Sequence, residues 1–117
     1  MADSRLENFY RSEFVALNVE FKQLVTVWQL TGATPDRLYS FLDSAMPMFE
    51  RLASLQPELR DYGIRFERAT SRVLQGDTAW LTGVFVDSAH SVWFELHTAL
   101  LDALGFSRLD VDASNDE

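Results

Sequence analysis

Residues 10–28, YRSEFVALNVEFKQLVTVW, decide the fold class. Large apolar side chains recur in this stretch at alternating steps of four and three residues: Tyr10, Phe14, Leu17, Phe21, Leu24 and Trp28. Such steps place side chains on one face of an α-helix, whereas a half-buried strand alternates every second residue. Valine-rich pieces such as FVALNVEF also alternate, which is the weaker argument for a strand. The sequence therefore predicts a helix over about residues 4–30.

Two further amphipathic stretches follow, each opened by a proline. The sequence TPD at residues 34–36 has the N-cap, first-turn proline and acidic residue that are typical of a helix start. The second predicted helix covers residues 35–55, and Pro47 should kink or split it because proline lacks the N–H that a helix interior uses. The third begins at Pro57. Long amphipathic segments joined by short turns predict an all-α protein, an up-down helical bundle of four main helices.

The fourth stretch, residues 78–104, has an ambiguous start. Its opening AWLTGVFV resembles a strand, and Gly83 weakens any helix there, so residues 78–87 could be helix or strand. We prefer one long helix, bent near Gly83 or Ser88. On such a helix Phe85 lies on the core face with other apolar residues, namely Leu81, Val92, Leu96, Ala99, Leu100 and Ala103.

Composition narrows the class of protein. The 117 residues fit one domain, which we expect to cover residues 1–108, followed by an acidic disordered tail over residues 109–117. The net charge of −8 argues against a general nucleic-acid binder, which normally presents a basic face. The absence of cysteine excludes disulfides and thiolate catalysis. No signal peptide or membrane-spanning stretch is recognisable, so a soluble, cytoplasmic protein is expected.

The chain has two histidines, His90 and His97, and most catalytic or metal-binding chemistry would have to depend on them. On a helix they stand roughly 10 Å apart along the axis, too far to share an ion at Zn–N bond lengths of ~2.0–2.1 Å. Asp87 lies three residues before His90, but a single Asp-x-x-His is not the paired motif of a di-iron bundle. Ser91 on a regular helix lacks the strained turn of a nucleophile. We therefore predict no catalytic residue, no metal site and no cofactor.

A second apolar stripe lies beside the predicted core stripe of the last helix. His90, Phe94, His97 and Leu101 step four, three and four, which makes the helix apolar over more than half of its circumference. A peripheral helix needs a stripe of only ~100°. Either this helix is central in its own bundle, or the stripe meets another chain. With Trp80, expected to be exposed, these residues form the predicted interaction seam.

Four arginines form the only basic cluster of the chain: Arg60, Arg65, Arg68 and Arg72. One interpretation is a solvated face whose positive charge balances that of Glu58, Asp61 and Glu67. The other is a contact for an anion or an acidic partner.

These features together predict a small accessory, regulatory, adaptor or inhibitor protein that works by binding. The expected partner is another protein or a second copy, with a homodimer formed through helical seams. One alternative is a small-molecule-binding or enzymatic bundle with a pocket near His90 and His97. A second alternative is an acidic surface that mimics nucleic acid.

Overall fold

The structure, a computed structural model, describes residues 4–106 and shows an all-α helical bundle with no strand in that range. The predicted acidic tail, residues 109–117, lies outside the described residues. The α-helices of residues 4–106 are α1 (Ser4–Phe9), α2 (Val15–Thr31), α3 (Pro35–Leu55), α4 (Arg60–Leu74), α5 (Ala79–Thr82) and α6 (Ala89–Leu104). Within the same range, no helix has the length and apolar content to cross a membrane.

A single wide turn joins α1 to α2. Residues Tyr10–Phe14 form a π-helix, so residues 4–31 make one continuous helix with a π-turn inside it. Tyr10 and Phe14, at the two ends of this turn, are both buried. The predicted apolar seam thus faces the core, with Trp28 near its end only partly buried.

The core is built around Trp93 of α6. Five phenylalanine rings lie with their centroids 5.1–6.0 Å from that of Trp93, a spacing typical of favourable aromatic pairs. They come from the π-turn, α2, α3 and α4: Phe14, Phe21, Phe41, Phe49 and Phe66. The long helices of residues 4–106, α2, α3, α4 and α6, therefore all contribute to one aromatic centre.

The second predicted helix, α3, runs through Pro47 without being split. Proline there removes one backbone hydrogen bond. Its ring is exposed, however, whereas Ala45, Met48 and Phe49 beside it are buried. Burial of the inner face therefore keeps the helix continuous at this position.

The expectation of one long helix over residues 78–104 is wrong. α5 ends at Thr82 and α6 begins at Ala89, and residues 83–88 between them form a loop of turns rather than helix or strand. Gly83 takes an extended conformation (φ −63°, ψ 145°), which stops the helix. Ser88 then caps α6, since its hydroxyl accepts a hydrogen bond from the Ser91 amide at 3.3 Å.

The interruption moves Phe85 away from the core face where a continuous helix would place it. Its side chain is 98% exposed. At the other end of α6, Gly105 adopts the left-handed conformation (φ 73°) and terminates the helix.

Candidate interaction site around residues 83–88

The loop of residues 83–88 is held by an ion-pair network from α4. Arg65 donates two hydrogen bonds to the Asp87 carboxylate, from Nε to Oδ2 at 2.9 Å and from Nη2 to Oδ1 at 2.6 Å. The same Nη2 donates to Oε2 of Glu95 on α6 at 3.0 Å. Arg68 adds a longer bond to Asp87 Oδ2 at 3.3 Å. Because a two-pronged guanidinium–carboxylate pair fixes orientation as well as distance, α4 positions both the loop and the first half of α6.

The charges of this network stabilise one another. Hydrogen bonding from Arg65, with a smaller contribution from Arg68, lowers the pKa of Asp87 below its ordinary value. Hydrogen bonds to Asp87 and then Glu95 raise the pKa of Arg65. Both groups therefore stay ionised throughout the neutral pH range, and the loop keeps its attachment there.

The held loop presents two apolar side chains to solvent. Val84 is 81% exposed and Phe85 is 98% exposed, whereas Leu81 before them and Ser88 after them are buried. The Ser88 amide also donates to the Val86 carbonyl at 2.8 Å, which closes a turn directly after Phe85. An aromatic ring that is almost entirely in water, on a loop fixed at both ends, is a candidate contact residue.

A third exposed apolar residue lies on α4. Ile64 on α4 is exposed and lies one helical turn before Arg68, so it shares the face of α4 that reaches Asp87. We call Val84 and Phe85, the two exposed apolar residues of the loop, the apolar patch. Its charged surroundings are the Arg65–Asp87–Glu95–Arg68 network.

The predicted arginine cluster is divided among different roles. Arg65 and Arg68 bind Asp87, so their partners are the loop and α6 rather than the neighbouring acids of their own helix. The Arg72 guanidinium lies 4.6 Å from the ring centroid of Trp80, a cation–π contact. Trp80 is half-buried rather than exposed. Arg60 is exposed at the start of α4.

The predicted seam on α6 does not form one surface. His90 and Phe94 are exposed, the latter by 53%, whereas His97 and Leu101 are only 2% exposed. His97 Nε2 lies 2.9 Å from the hydroxyl of Tyr10 in a buried hydrogen bond. Burial of α6 within its own bundle therefore accounts for His97 and Leu101, but not for His90 and Phe94.

A groove separates α2 from the exposed half of the stripe. Its volume is about 190 Å³. Its lining combines aromatic and basic side chains with one amide: Asn18, Phe21, Lys22, His90, Trp93, Phe94 and His97. At its base the Trp93 indole N–H donates to Asn18 Oδ1 at 3.0 Å, a buried hydrogen bond between the two helices. We call this feature the α2–α6 groove.

Metal binding receives no structural support from residues 4–106. No three side chains of His, Asp or Glu in that range are grouped so that they could hold an ion. The carboxylates of Asp87 in the loop and of Glu95 on α6 both accept hydrogen bonds from Arg65.

Sequence reasoning missed Val84, Phe85 and the roles of Asp87 and Glu95. The available signal was the pair of Gly83 and Ser88, a helix breaker and an N-cap residue five positions apart. Together they define the ends of a short loop, which places residues 84 and 85 outside any helix.

Comparison of the chain with protein-family models, curated proteins and solved structures found no match.

Proposed function

We propose that the protein is a non-enzymatic interaction module that forms a homodimer, with Phe85 as the central contact. The observation that carries this proposal is the 98% exposure of Phe85 on a loop that Arg65 holds in place. A regulatory or accessory role and a cytoplasmic location are parts of the proposal that rest on the sequence alone.

The fixed loop favours binding because it is already ordered in the free protein, so that little further conformational entropy is lost when a partner binds. Association normally loses free energy to the immobilisation of loops and side chains, and a preorganised loop reduces that loss. Aromatic side chains, phenylalanine among them, are also enriched at the centres of protein–protein interfaces. Phe85 combines both properties.

A second copy is the partner because the charges around the patch balance. Arg65, Arg68, Asp87 and Glu95 sum to zero formal charge, although the whole chain carries −8. Two copies can therefore approach at this patch without locally opposing like charges. A two-fold interface brings the same surface of each subunit together, and aromatic rings near the axis can stack on each other.

The enzymatic or small-molecule alternative has weaker support. The α2–α6 groove near His90 and His97 measures about 190 Å³, below the ~300–1,000 Å³ of typical ligand sites. His97 is buried and hydrogen-bonded to Tyr10, so its ring serves the packing of α6 against the π-turn.

The test is the absolute molar mass in solution, measured by light scattering over a dilution series. We expect the wild type to have twice the mass of one chain and Phe85→Ser to have the mass of one chain. Leu30→Ser is the matched control, because Leu30 is also strongly exposed but lies near the end of α2, outside the apolar patch. It should remain dimeric.

Two results would overturn the proposal. One is a wild type that stays monomeric at every concentration. The other is a Phe85→Ser variant that dimerises as well as the wild type does. Circular dichroism of each variant verifies that the helical content is unchanged.

A further inference from the structure

The described chain ends beside the α2–α6 groove. The ring of Phe106 packs edge-on against Tyr10 with 6.3 Å between centroids, and the guanidinium of Arg11 lies 5.4 Å from the centroid of Phe106. Tyr10 is hydrogen-bonded to His97, which lines the groove. Phe106, the last described residue, therefore lies near the end of the groove that His97 lines.

The following segment is long enough to run the length of the groove. From His97 to His90 the helix rises roughly 10 Å, at ~1.5 Å per residue. An extended chain covers up to ~3.3–3.6 Å per residue, so residues 107–112 can span roughly 20 Å. Residues 109–112 can consequently reach the half of the groove that holds Lys22 and His90.

The residue pattern of the segment complements the groove. In the sequence LDVD, residues 109–112, apolar and acidic residues alternate, so an extended chain places Leu109 and Val111 on one side and the two carboxylates on the other. The groove offers aromatic surface, with Trp93 buried and Phe94 half exposed. Its basic groups are those of His90 and of Lys22, the only lysine in the chain.

We propose that the α2–α6 groove is a binding site for the chain's own acidic segment, residues 107–117 (SRLDVDASNDE). Leu109 and Val111 contact the aromatic surface of the groove, and the carboxylates of Asp110 and Asp112 pair with Lys22. Bound in this way, the segment covers His90 and Phe94, the exposed half of the stripe on α6. The proposal is independent of Phe85, which does not line the groove.

The single lysine makes a direct test possible. A water-soluble carbodiimide joins a lysine amine to a carboxylate in contact with it through an amide bond. The full-length protein is treated at low concentration, the product with the mass of one chain is isolated, and trypsin releases residues 109–117 after Arg108. We expect mass spectrometry to find Lys22 joined to Asp110 or Asp112.

Two variants control the experiment. Lys22→Arg keeps the positive charge but removes the amine that forms the amide, so the linked peptide should disappear. Leu109→Asp/Val111→Asp adds carboxylates while it removes the apolar contacts. If the groove binds the segment through those contacts, this variant should give less of the Lys22 link despite its additional acids.

Three results would overturn the proposal. The first is a Lys22 that links only to carboxylates within residues 4–106. The second is a link that occurs only in covalent dimers, which would assign the segment to another copy. The third is a Leu109→Asp/Val111→Asp variant that links as efficiently as the wild type, which would reduce the association to unspecific charge attraction.

Discussion

Asp87 decides how the loop of residues 83–88 is attached to the bundle. Its carboxylate accepts hydrogen bonds from Arg65 and Arg68, and its neighbours Val84 and Phe85 project into solvent. The side chains of Arg65 and Asp87 are 27% and 29% exposed, so water screens their attraction only in part. We expect this pair to contribute about 1 kcal/mol, the upper end for pairs near the surface.

The stability that Asp87 provides should depend on pH. Since Arg65 lowers the folded-state pKa of Asp87 below its unfolded value of ~3.9, this contribution is complete above that value and is lost as the pH falls through the folded-state pKa. Asp87→Asn should therefore be less stable than the wild type by about 1 kcal/mol at neutral pH, and the difference should shrink in acid.

Urea unfolding at pH 7 and at pH 3 measures this dependence. Asp102→Asn, at an exposed position of α6, is the control and should match the wild type at neutral pH. An Asp87→Asn deficit that is the same at both pH values would show that the hydrogen-bond network is not linked to the ionisation of Asp87.

Asn18 lies beside the apolar seam of α2 rather than in it, and it is nevertheless buried. Its Oδ1 accepts the indole N–H of Trp93, and both side chains are nearly inaccessible to solvent. Asn18→Ala leaves that donor without its acceptor, which should cost ~1–3 kcal/mol in the free energy of unfolding. Asn8→Ala, an exposed position on α1, should be neutral. Equal stabilities of the two variants in denaturant titrations would contradict the assigned role.

At the scale of elements, the break between α5 and α6 creates the candidate site. A continuous helix would bury one side of residues 84–86, whereas the break directs Val84 and Phe85 outward. Gly83 is required here for space: a Cβ at this position would overlap the carbonyl oxygen of Ala79. Because that atom belongs to the backbone, no side-chain rotation relieves the overlap.

Gly83→Ala should therefore displace the end of α5 and the loop that follows. We expect a loss of ~2 kcal/mol in the free energy of unfolding, within the range for overpacked sites, together with weaker dimerisation. Val84→Ala, one residue further on and exposed, should change stability by less than ~0.5 kcal/mol. Thermal unfolding compares the two variants. A Gly83→Ala protein with wild-type stability would show that the loop adapts freely.

At the scale of the whole molecule, the net charge of −8 opposes association of two copies. The repulsion acts over the Debye length, which falls from ~30 Å at 0.01 M salt to ~8 Å at 0.15 M. If apolar contact at Phe85 drives dimerisation, added salt should strengthen it over this range. Sedimentation equilibrium at several salt concentrations measures the effect. A dimer that weakens with salt would instead be held by ion pairs between the subunits.

The sequence by itself determined the fold class and most of the core. The steps of three and four from Tyr10 to Leu24 place large side chains on one helix face. Burial of that face favours a helix whichever neighbouring helices cover it. The start of α3 at Pro35 was also predictable, because proline lacks an N–H and its fixed φ suits the first turn of a helix.

Only the tertiary structure decided what lies at the surface of the last two helices. The stripe of His90, Phe94, His97 and Leu101 has one spacing but no uniform exposure. Tyr10 and Phe14 of the π-turn pack against His97, and Leu101 is buried as well, whereas His90 and Phe94 are exposed. Arg65 likewise could have paired with acids on its own helix, yet it binds Asp87, 22 residues away along the chain. Burial and ion pairing depend on which elements meet in space, and a periodic pattern specifies a face without specifying its neighbour.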